Sequence, residues 1–155
     1  MLSLLIAIGA TSKRRYSKLG DGEAFRRFLR DEFESILGIS VKSFNVDFRG
    51  TPLPLENLLY KFVRCELAHE AALPADVAFE PTAELAIRTE GNRIVFSGPW
   101  ADSLATAVVL SPENADEFPE AAQARANRPK PRFNVGTVNL CGGSIVFKKE
   151  RPTKP

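Results

Sequence analysis

A chain of 155 residues with 44% hydrophobic and 26% charged content is long enough for one compact core, or one core with a small appendage. The formal net charge of +2 sets up no global field for nucleic acid, so a basic surface would have to come from local clustering. Cys65 and Cys141 stand far apart and outside any C-x-x-C pair, which fits reduced thiols in a cytoplasm better than a disulfide framework. With His69 as the single histidine, no metal site assembles without unusual carboxylate ligation.

The first element is the apolar run Leu2, Leu4, Leu5, Ile6, Ala7 and Ile8. Its basic residues, Lys13 to Arg15, follow the run instead of preceding it, and the run is too short to span a bilayer. It therefore reads as a first helix, central to a bundle and wet at its basic end, with no membrane partner. In the second helix Phe25, Phe28, Leu29, Phe33 and Ile36 recur at steps of three and four. Asp21 is its candidate N-cap and Gly38 its stop. Val41 to Phe48 alternates loosely and reads as a loop or short strand before Gly50, Pro52 and Pro54. A third helix is predicted from near Pro54 to about Ala72, halted by Pro74, with Leu55, Leu58, Leu59, Phe62 and Cys65 as its stripe. Continuing that stripe by four residues reaches His69.

Leu85 to Ile87 and Arg93 to Phe96, joined through Glu90-Gly91-Asn92, predict a β-hairpin inserted at about 84–97. Gly98-Pro99 opens a helix carrying Trp100, Leu104, Ala107 and Val108, and Ser111-Pro112-Glu113 restarts one through about Ala126. Arg128 to Arg132 forms a basic linker. A second hairpin is expected from Phe133 to Leu140 with Ser144 to Phe147 around Cys141-Gly142-Gly143, ahead of a basic tail at Lys148, Lys149, Arg151 and Lys154.

Chemistry concentrates on Arg64 and His69, an arginine and the only imidazole five residues apart late in the third helix. A guanidinium can hold a phosphate through two parallel hydrogen bonds and stabilise the charge that builds on it. An imidazole with an ordinary pKa of about 6.5 can take or give a proton near neutrality. Because the RNA 2′-hydroxyl can attack the adjacent phosphate, these two groups outline a metal-independent ribonuclease. On an undistorted helix they lie roughly 140° apart, so a shared phosphate calls for a bend, the reach of the arginine, or the same helix from a second subunit. A homodimer answers that geometry most simply. In the plainer alternative His69 bonds a backbone carbonyl, and Arg64 is a surface cation paired with Glu66 or Asp76.

The phenylalanine-rich second helix, followed by Leu58-Leu59-Tyr60-Lys61-Phe62-Val63-Arg64-Cys65-Glu66-Leu67-Ala68-His69-Glu70, resembles HEPN domains, whose signature is Arg, four to six residues, then His. The resemblance covers residues 1–73. It implies a mainly α (α+β) fold: a HEPN-like helical bundle over residues 1–126 with the inserted hairpin, then residues 127–155 as linker, C-terminal β extension and tail. It also implies a cytoplasmic, metal-independent endoribonuclease of the toxin or defence kind, acting on RNA as a homodimer without a cofactor and held by an antitoxin partner. Arg64 and His69 would be catalytic. Glu70 would orient the imidazole or cover the helix, as would Glu66, and Tyr60 would stack on a base or pack against the hairpin. Arg26, Arg27 and Arg30 would track RNA or be a solvated face, with Asp31 and Glu34 interleaved. A rival reading from another class is a non-catalytic nucleotide-binding or protein-assembly module using an exposed strand edge. A phage or mobile-element structural protein, forming large regular assemblies, is a third.

Overall fold

The computed structural model describes residues 1–127 and 134–147. The basic linker, Phe133 and the basic tail lie outside these residues.

Helix α1 (Leu2–Arg15) buries only the stripe Leu5, Ile8, Thr11 and Ser12, while Ile6 is 59% exposed. It is a surface helix with one covered side, not the central helix of a bundle. Helix α2 (Asp21–Leu37) buries Phe25, Phe28, Leu29, Phe33 and Ile36, as their spacing requires. Gly20, one residue before the expected Asp21, is its N-cap, and Gly38 ends it at φ 74°, a left-handed conformation that favours glycine. The Gly38 N–H donates to the Glu34 carbonyl and closes the last turn.

From here the chain departs from a helical bundle. Ser40–Phe48 is a nine-residue strand, β1, in which Phe44, Val46 and Phe48 are buried and alternate with the half-buried Asn45 and Asp47. Arg49-Gly50, both at positive φ, turns it tightly into β2 (Thr51–Pro54). The third helix is three pieces: α3 (Leu55–Leu58), a π-helical turn (Leu59–Cys65) and α4 (Glu66–Glu70), which ends on Ala71 in the left-handed region. The remaining elements are β3 (Val77–Glu80), β4 (Leu85–Glu90), β5 (Arg93–Ser97), α5 (Pro99–Val109), a 3₁₀ turn (Pro112–Asn114), α6 (Pro119–Ala126), β6 (Asn134–Leu140) and β7 (Gly143–Phe147). The helix expected from Ser111 to Ala126 is thus a short turn followed by α6.

The strands form two sheets, with order β2-β1-β6 and β3-β5-β4-β7. The hairpin expected at 84–97 is present, β4 against β5 with Glu90 opposite Arg93. It is the middle of a four-stranded sheet and not an insertion. The second hairpin does not form as expected: β6 runs parallel to β1, Phe44 opposite Val138, while β7 pairs antiparallel with β4. Residues 134–147 therefore complete both sheets. The fold is α+β, which corrects the mainly α, HEPN-like bundle. The physical reason is that local periodicity reveals the helices, whereas β1 becomes a strand through a partner ninety residues away.

The core runs from α1, α2 and α5 into both sheets. Trp100 on α5 is fully buried, donates its indole N–H to the Ala86 carbonyl at 2.7 Å, and meets Phe96 and Phe147 edge-on. Phe147 in turn contacts Phe44, so one aromatic chain crosses between the sheets. Among the described residues no helix is long and apolar enough to cross a membrane, and no group of three or more His, Cys, Asp or Glu side chains is placed to hold a metal.

Candidate functional site

The π-helical turn positions the arginine. Such a turn widens the helix by one residue and is rare enough to mark a special local demand. Here it sets Tyr60 and Arg64 on the side facing α2: the Arg64 guanidinium lies 5.4 Å from the Tyr60 ring centre and 5.6 Å from that of Phe25. Its far end reaches α1, where a Cβ added at Gly9 would stand 3.5 Å from Nη2. Among the described residues Arg64 has no carboxylate partner. Glu66 does not pair with it, and Asp76 is taken by Arg49, whose hydrogen bond holds the Asp76 carboxyl below its usual range.

His69 lies elsewhere. It is exposed in the last turn of α4 with Glu70 beside it, and neither side chain has a hydrogen-bond partner among the described residues. The guanidinium is thus directed onto the α1 and α2 surfaces, while the imidazole is in water at the helix end. No side chain is shared between them in one chain.

Tyr60 is part of the packing. Its ring lies 5.5 Å from that of Phe25 and rests on Gly22, where an added Cβ would be 2.8 Å from both Cζ and Oη. The three arginines of α2 have three different surroundings. Arg26 covers the Tyr60 ring at 5.1 Å and Arg27 covers Tyr16 at 5.0 Å. Arg30 binds one oxygen of the nearly buried Glu56, at 3.0 Å through Nε and 2.7 Å through Nη2. The Tyr16 hydroxyl donates to Asp31; burial first, then that carboxylate, raises its pKa.

An ionic network that the sequence does not announce joins α1, α2 and the C-terminal helices. Glu32 is completely buried and accepts from Arg15 at 2.8 Å and from both terminal nitrogens of Arg125 at 3.0 Å. Arg15 also binds both oxygens of Glu113 and the Ser111 hydroxyl, and lies 4.7 Å from the Phe28 ring centre. Burial pulls the Arg15 pKa down, but hydrogen bonds to Glu113 and Glu32 more than offset this and hold it above the ordinary value. Burial pushes Glu113 up, and the bonds from Arg15 and Ser111 carry it below the ordinary range. Glu32 lies four residues after Phe28 and four before Ile36, inside the buried stripe of α2, so helical spacing does place it inward; its carboxylate, a residue type usually found in water, is what hid it from a reading of apolar positions.

The sheet edges differ in how they are guarded. β2 carries Pro52 and Pro54, and β3 is four residues long and runs into Pro81. β7, five residues long, and β6 have neither device: the seven residues of β6 include no proline and no charged side chain, and among the described residues only β1 pairs with it. Val135 is 38% exposed, and an added Cβ at Gly136 would meet nothing within 4 Å. Its outer face is polar, with Ser43 donating to Thr137 at 3.0 Å and Asn45 to Asn139 at 2.9 Å.

Neither a curated protein nor a solved structure matches this chain. A family model described as Rv1289 matches residues 1–139. That match, with the two-sheet architecture, replaces the HEPN resemblance and removes the support it lent to toxin–antitoxin and RNA-binding roles. With nearly all of its described length covered by the match, the chain belongs to the Rv1289 family.

Proposed function

We propose that this domain is a protein-assembly module that pairs with a second copy of itself through β6. The observation that carries the reading is the open edge of that strand. A strand edge presents main-chain N–H and C=O groups at a fixed repeat, and the chemical complement of that row is another extended backbone. Natural edges are usually blocked by proline, by charge or by shortness. β2 and β3 follow that practice, whereas β6 and β7 do not, and β6 offers the longer row, seven residues against five.

The second copy is favoured over an unrelated strand because β6 can face itself about a two-fold axis without bringing like charges together. The open space at Gly136 and the exposed Val135 leave room for a neighbouring strand. The polar row of Ser43, Thr137, Asn45 and Asn139 would then continue across the pair, each cross-strand contact adding roughly 0.2–1 kcal/mol.

Light scattering and sedimentation across a concentration series test this on wild type and Val135→Lys, with folding checked by circular dichroism. The expected result is a wild-type dimer whose dissociation constant rises about tenfold or more in the variant, corresponding to about 1.4 kcal/mol. A wild type that stays monomeric at every concentration, or a folded variant that dimerises equally well, overturns the reading.

A further inference from the structure

We propose that Arg26 and Arg64, mounted on the ring of Tyr60, form a receptor for the phosphate group of a small molecule. Most arginines described in the structure are already neutralised. Arg14 binds Glu117, Arg15 binds Glu32 and Glu113, Arg30 binds Glu56, Arg49 binds Asp76, Arg88 binds Glu80 and Glu90, and Arg125 binds Glu32. Arg26 and Arg64 differ twice over: neither has a carboxylate partner among the described residues, and both converge on a single aromatic ring.

Two like charges gathered on one ring without a counter-ion repel each other, and the electron-rich face of the ring offsets only part of that. The arrangement is completed by an anion. A phosphate suits it because each guanidinium offers a planar fork of donors that matches two phosphate oxygens. Both arginines are partly buried, so they are held in place but still reachable by solvent. The π-helical turn Leu59–Cys65, which carries both Tyr60 and Arg64, adds a second, independent sign, since π-helical turns recur where a helix is distorted for function.

The mounting is built from three elements. Tyr60 rests on Gly22 of α2, which has no room for a side chain, and Arg64 extends over Gly9 of α1. Of the acidic residues on the first turn of α2, Asp21 pairs with Lys13, and Glu23 forms no ion pair with Arg26. Glu23 does line the same groove as Arg26, so two guanidiniums face this one carboxylate and the receptor remains net positive.

The test is thermal unfolding of the full chain in inorganic phosphate against chloride at matched ionic strength, for wild type, Arg26→Gln, Arg64→Gln and Arg27→Gln. Phosphate should raise the wild-type midpoint, the increase should disappear in Arg26→Gln and Arg64→Gln, and it should persist in Arg27→Gln, whose guanidinium covers a different ring. Arg26→Gln, on the accessible side of α2, keeps the test decisive if Arg64→Gln does not fold. No phosphate-specific increase in wild type, or the same increase in folded Arg26→Gln, overturns the proposal.

Discussion

Two groups of arginines sit on neighbouring faces of α2 and are treated in opposite ways. Around Glu32 the charges close on one another: a fully buried carboxylate takes two guanidiniums, and Arg15 passes the network on to Glu113 and Ser111. Around Tyr60 the charges stay open, since Arg26 and Arg64 meet aromatic rings and no carboxylate among the described residues. The same residue type is a clamp in one place and an available cation in the other. The four arginines are alike in being partly buried; what separates the groups is Glu32, a carboxylate removed from water that must find opposite charges, whereas the arginines at Tyr60 meet no such group and rely on water and a ring face.

The sharpest way to break this comparison is Glu32→Ala. It strands Arg15 and Arg125 beside each other without their shared carboxylate, and we expect a loss of about 3–5 kcal/mol, read as a fall in the denaturant midpoint. A loss under about 1 kcal/mol would show that the network is ornamental. Gly22→Ala probes the open group through its mounting. With 2.8 Å between the added Cβ and the Tyr60 ring, the ring must move, at a cost of about 1–3 kcal/mol, and near-ultraviolet circular dichroism should report the displaced tyrosine. An unchanged spectrum and stability would mean that the ring is not seated on Gly22.

Acid should distinguish the two groups at the smallest scale. The Glu113 pKa is depressed in the folded chain, so its pairing contributes stability that is complete above the unfolded carboxylate value of about 4.3 and is lost as pH falls through the lower folded value. Wild-type stability should therefore decline below about pH 4, and Glu113→Gln should flatten that decline by a fraction of a kcal/mol, since Glu113 is partly exposed. Denaturant midpoints at pH 5, 4 and 3 measure the difference. Equal slopes in both proteins would remove Glu113 from the acid response.

Part of the fold is legible before any coordinates. The three- and four-residue steps of α2 and the stop at Gly38 lie in adjacent residues, as do Gly91-Asn92 between β4 and β5 and Gly98-Pro99 ahead of α5. Each of these is a short-range device. The candidate site was legible only as residue types. Arg64, Tyr60 and Arg26 can be picked out as chemistry-bearing, yet what they touch follows from the π-turn and from Gly22 on another helix, neither of which leaves a mark in helical spacing. Arg64 and His69 read as partners because they are five residues apart, but the direction in which each side chain leaves the helix is set by the packing around it.

By itself the sequence determined the helices α1, α2 and α5, the β4–β5 hairpin and the proline-rich break before residue 55, because those elements answer to neighbours within a turn or two. The tertiary structure decided the rest: that β6 leaves β7 to lie parallel to β1, that the buried Glu32 meets Arg15 and Arg125, and that among the described residues β6 keeps an open edge. Parallel pairing and charge burial depend on groups about ninety residues apart in the chain, and their free energy exists only once those groups have been brought together.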